Sequence, residues 1–121
     1  MGYRNVLHLT VREERGDRVL LEGTDVRLTG VRKQPLAGPR ASVAIRPEEV
    51  TIATGPTAEN IVTGRVDNVE YGGRDSLIDI VTPGGARLHL RGPTDIVPGA
   101  DVHVHVSPER VLVYPYDGSE G

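Results

Sequence analysis

The chain has 121 residues, with 14 Lys and Arg against 17 Asp and Glu, and a formal net charge of -3. It has no cysteine, which excludes a disulfide scaffold, a thiolate nucleophile and a cysteine zinc site. No apolar run approaches the roughly 18 residues of a membrane-spanning helix, no charged-then-apolar leader suggests a signal peptide, and an acidic chain without Phe or Trp lacks the basic footprint and stacking rings of a nucleic-acid binder.

The remaining composition, with 17 Val, 6 Ile and 9 Thr, favours strands, because β-branched side chains fit the pleat. The 15 Gly and 9 Pro supply frequent turns, so the expected class is all-β with a Val, Leu and Ile core. Asn5 to Val11 alternates, with Leu7, Leu9 and Val11 on one face. Glu14 to Asp17 reads as a turn, Val19 to Leu21 as a strand, and Val26 with Leu28 as another. Residues 30–40 hold two Pro and two Gly and read as a loop. Ser42 to Arg46 is a strand, Arg46-Pro47-Glu48-Glu49 a tight corner, and Val50 with Ile52 a further strand. Residues 54–59 are a connector.

Asn60 to Glu70 forms a long strand with Val62, Val66 and Val69 inward and a bend or bulge expected at Gly64. Tyr71 to Asp75 is a turn, and Leu77–Val81 with Ala86–Arg91 makes a hairpin around Pro83-Gly84-Gly85. Val102, Val104 and Val106 alternate with His103 and His105, and Pro108-Glu109 makes a corner before Val111 to Tyr114. No segment has a helical period longer than one turn, and the tail, residues 116–121, reads as disordered.

The chain repeats itself. Asn5-Val6-Leu7 and Val11 recur as Asn60-Ile61-Val62 and Val66. Gly38, Val43, Ile45, Pro47, Glu48, Val50 and Ile52 recur as Gly99, Val104, Val106, Pro108, Glu109, Val111 and Val113. The second copy is longer, most simply in the Gly72-Gly73 turn and the 76–91 hairpin. About five short strands per copy suit a small Greek-key barrel of the oligonucleotide/oligosaccharide-binding (OB) type. The expected architecture is two interleaved OB-like repeats, 2–53 and 59–115, which pack together or exchange strands because each is too small to bury much alone.

The order of these motifs, Ile45-Arg46-Pro47-Glu48-Glu49-Val50-Thr51-Ile52 in the first copy and Asn60 to Val66, Glu70-Tyr71-Gly72-Gly73 and Val104-His105-Val106 in the second, resembles the TOBE (transport-associated OB) domain. That domain forms the C-terminal region of ABC importer ATPase subunits for polyamines, iron, sulfate and sugars. The resemblance implies an accessory, regulatory module without catalysis of its own. It implies an ATPase domain in cis, a homodimer with a second subunit, membrane permease subunits as partners, and a cytoplasmic site peripheral to the inner membrane. This chain has no phosphate loop, and Lys33 is its only lysine, so ATP and Mg would belong to an ATPase domain N-terminal to residue 1. The alternative is a stand-alone molybdate or other oxyanion-binding protein, since molybdate-binding proteins share the repeated fold.

Interface or ligand contacts are expected at the Pro-Glu corner, Arg46 and Glu48, and at the glycine turn, Tyr71, Gly72, Gly73 and Arg74. Residues 1–56 carry 9 basic and 7 acidic side chains, and residues 57–121 carry 5 and 10; the basic segment reads first as an ordinary solvated loop, and otherwise as half of a complementary interface or a place for a small oxyanion. His103 and His105 stand at ligand spacing, but the alternating valines turn them to solvent, and no metal, catalytic pair or nucleophile is expected.

Overall fold

The structure is a computed structural model, and it describes residues 5–53 and 60–116. The expected connector at 54–59 and most of the expected tail lie outside the described residues. Among the described residues, ten strands and two short 3-10 turns follow in order: β1 (Asn5–Arg15), β2 (Arg18–Glu22), β3 (Arg27–Arg32), β4 (Arg40–Ile45), the turn Pro47–Glu49 and β5 (Thr51–Ile52). Then come β6 (Ile61–Gly72), β7 (Asp75–Val81), β8 (Arg87–Gly92), β9 (Asp101–His105), the turn Pro108–Arg110 and β10 (Leu112–Pro115). The protein is all-β, as its composition requires.

β1, β2, β3, β10 and β4 close into a barrel, and β5, β9, β6, β7 and β8 form an open five-stranded sheet, a half-barrel. The last strand of the second repeat thus completes the first unit, and β5 of the first repeat adds to the second. The strands on either side of each Pro-Glu corner therefore belong to different sheets. At each corner a proline opens a single 3-10 turn, and its carbonyl accepts from the N–H of Val50 or Val111.

The two long strands change partner midway. β1 pairs with β4 over Asn5 to Thr10 and with β2 from Thr10 onward; β6 pairs with β9 and then β7. Each change carries a bulge, between Val11 and Glu13 and between Val66 and Asn68. The bulge therefore falls at Asp67, three residues beyond Gly64, where the sequence suggested it. Gly64 is instead a close approach, since a Cβ there would sit 3.1 Å from the Val81 carbonyl oxygen.

A second difference concerns residues 30–40, expected as loop throughout. β3 runs on to Arg32 because Gly30 lets β10 come against it. A Cβ at Gly30 would lie 2.7 Å from the Val111 carbonyl oxygen. The Val31 N–H donates to Val111 O at 2.8 Å and the Lys33 N–H to Val113 O at 2.8 Å, closing the first barrel in parallel. Two buried asparagines identify the matching positions of the second unit. Asn60 Nδ2 donates to Thr29 O and its Oδ1 accepts from Thr29 N–H; Asn5 makes the same pair of bonds to His89. Thr29 therefore corresponds to His89, Gly30 to Leu90 and Lys33 to Pro93. Leu90 carries a full side chain where Gly30 leaves room for Val111 and Val113, and Pro93 has no N–H to donate. The second barrel accordingly stays open between β5 and β8.

One continuous core fills both units, with Val19, Leu21, Val43, Ile78, Ile80, Leu90, Val111 and Val113 fully buried.

Candidate functional site

The expected contact residues fall in two separate places. Arg46 sits at the end of β4 in extended backbone, exposed, one residue before the first 3-10 turn. It borders a cleft of about 270 Å³ whose other walls are Ala44, Ile45, Glu49, Glu109, Arg110, Leu112 and Tyr114. Both Pro-Glu corners contribute, because strand exchange carries the second corner to the rim of the first barrel. Glu48, also exposed, does not line the cleft. Tyr71, Gly72, Gly73 and Arg74 are not in it either. They form the exposed tip of the β6–β7 hairpin, where Gly73 has φ +83° and Tyr71 is 61% exposed, its hydroxyl donating to Ile96 O at 3.4 Å.

The cleft's charges are largely matched. Arg110 Nε lies 3.5 Å from Glu49 Oε2, and Arg18 donates to Glu109 at 3.2 Å. The Glu109 carboxyl is held below its ordinary pKa, chiefly because it accepts from its own backbone N–H and then from Arg18. Both cleft carboxylates therefore already have cations. Arg46 has no ion-pair partner among the described residues, and the Tyr114 hydroxyl has no hydrogen bond among them. One guanidinium and one phenol thus line the cleft without a partner among the described residues, together with the apolar Ala44 and Leu112. A guanidinium fork and a hydroxyl donor suit a small oxyanion. The volume is below the range of about 300–1,000 Å³ typical of drug-sized sites.

The sequence singles out Arg46 but not Arg110 or Tyr114, which line the same cleft. Nothing in the chain order signals that residues after the second Pro-Glu corner meet those before the first; only the exchange of β10 brings them there.

The histidines divide as the alternation implies. His103 is exposed and His105 half-buried, while Val102, Val104 and Val106 are buried. His8 is half-buried: its ring bonds to Ser42 Oγ at 3.0 Å and meets Tyr116 edge-on.

A TOBE domain model matches residues 43–113, more than half of the chain. This chain belongs to the TOBE family. The matched TOBE segment begins in β4 and ends in β10, so it holds both Pro-Glu corners and the whole second unit. Among solved structures the fold is similar to the cytoplasmic molybdate-binding protein ModG, in a crystal form with molybdate bound. The TM-score is 0.76 at 22% identity, over 93% of this chain and 96% of that one. No curated protein sequence matches the chain.

Proposed function

We propose that this TOBE chain is a small-oxyanion-binding module, with molybdate-class anions as the ligand, held in the cleft between the two Pro-Glu corners. The carrying observation is that Arg46, which has no acidic partner among the described residues, and the Tyr114 hydroxyl, which has no hydrogen bond among them, line the same cleft. The fold shared with a protein crystallised with molybdate supports the choice of anion. In this reading Arg46 binds two oxygens in a bidentate fork, Tyr114 donates to a third, and the Arg110–Glu49 pair walls the site. Titration calorimetry with molybdate, tungstate and sulfate tests it. Saturable binding that falls about tenfold or more in Arg46→Ala is expected, since a charge-assisted hydrogen bond contributes about 1.5–3 kcal/mol. No heat with any of the three anions at millimolar concentration overturns the reading.

A second reading rests on the hairpin tip. Tyr71, Gly72, Gly73 and Arg74 are exposed together, and Arg74 has no ion pair among the described residues. Such a knob suits an accessory domain of an ABC importer that contacts an ATPase domain, a second subunit or a permease, at the cytoplasmic side of the inner membrane. Here the module supports dimerisation and regulation, and the ATPase chemistry belongs to another domain. Sedimentation equilibrium over a hundredfold concentration range tests its self-association. A weak dimer disrupted by Tyr71→Ala supports it, and a monomer at every concentration counts against it.

A further inference from the structure

We propose that the outer face of β9 binds a divalent transition-metal ion through His103 and His105. The inward packing of Val102, Val104 and Val106 fixes both imidazoles on the opposite face of one strand. Residues two apart on a strand have Cα atoms about 6.6 Å apart, from a rise of about 3.3 Å per residue. Two rings at that spacing close on a common ion at nitrogen–metal distances of about 2.0–2.1 Å.

The neighbouring strands prepare the site. His103 lies directly opposite Thr63 of β6, and His103 Nδ1 is 2.8 Å from Thr63 Oγ. In the tautomer whose Nδ1–H donates to the threonine oxygen, Nε2 keeps its lone pair for a metal. This is the support that metal-binding imidazoles usually have from a neighbouring acceptor. His105 stands between Thr51 and Ile61 in register, and its ring has no hydrogen bond or ion pair among the described residues. Asp101, the nearest acid on the strand, is engaged with Arg65 at 3.6 Å.

The first unit provides an internal comparison. The matching rung there pairs His8 with Ser42, and Ala44 occupies the place of His105. Only the second unit carries two imidazoles on one face, so the pair is no consequence of the repeat. No third His, Asp or Glu among the described residues completes a ligand set, so water fills the remaining positions. Two imidazoles with water select Cu(II), Ni(II) or Zn(II) and discriminate against Mg and Ca, which favour oxygen ligands.

The test is calorimetric titration of the tag-free chain with Ni(II) and Zn(II), together with electron paramagnetic resonance of the Cu(II) form. One ion per chain, with micromolar affinity and nitrogen hyperfine structure from two imidazoles, is expected. His103→Ala and His105→Ala should each weaken binding about tenfold or more, and Thr63→Val several-fold. His8→Ala should leave it unchanged. All four positions are at or near the surface, and far-ultraviolet circular dichroism confirms that each variant is folded. Undiminished affinity in both histidine variants, or no binding at 1 mM metal, overturns the proposal. The anion cleft shares no residue with this site, so neither result bears on the other.

Discussion

Asn5 and Asn60 are 2% and 6% exposed, and each reaches across to the other unit. A buried amide can satisfy one backbone N–H and one C=O together, and each of these does so. Asn60 also has φ +55°, a left-handed conformation that Asn tolerates better than most residues. Asn60→Ala should therefore cost about 2–3 kcal/mol in chemical denaturation, because the Thr29 N–H and C=O lose their partners. Both asparagines stood out in the sequence as part of the repeat, yet their role was hidden, because their partners Thr29 and His89 are distant in the chain. Val104 was legible in full. Val104→Asp should unfold the protein, since burying an unpaired carboxylate costs several kcal/mol, comparable to the whole stability of a small domain. His103→Asp, one residue away and exposed, should be close to neutral; equal losses would mean a shifted register. Glu109 carries a pH signature. Its folded pKa is lowered, so its contribution is present above the unfolded value and is lost as pH falls through the folded one. Glu109→Gln should reduce the loss of stability between neutral and acid pH, measured by urea titration at each pH.

At the scale of elements, alternation and turn residues located the strands well, from Leu7 and Leu9 to Val102 and Val104. Their ends were less legible. β3 continues through Val31 because β10 arrives to pair with it, and a loop composition gives no sign of that partner. The contrast between Gly30 with Lys33 and Leu90 with Pro93 explains why one barrel closes and the other does not. Lys33→Pro removes the donor to Val113 O and should cost about 1 kcal/mol or more. Gly30→Ala drives a methyl toward the Val111 carbonyl and should cost about 1–3 kcal/mol, with protection from hydrogen exchange lost first in β10. The β6–β7 hairpin pairs seven positions where β1–β2 pairs five, which places much of the second copy's extra length where the Gly72-Gly73 turn suggested it.

For the whole molecule, exchange of β5 and β10 makes neither repeat a unit on its own. The core is continuous and the asparagine clamps run both ways, so thermal unfolding should be a single transition, with circular dichroism and side-chain NMR signals melting together. Two separated transitions would show that the units are independent. Periodicity, turn chemistry and internal repetition, which are local properties, determined the all-β class, the two repeats, the inward valines and the corner positions. They fixed Arg46 as a candidate contact for the same reason: it stands beside a proline that sets the local backbone. Only the tertiary structure decided that Arg110 and Tyr114 join Arg46, that the Tyr71–Arg74 tip lies outside that cleft, and that one barrel is closed and the other open. Those outcomes depend on which strand edges meet. That choice is set by single residues, a glycine that admits a neighbour and a proline that cannot donate, acting between segments far apart in the chain.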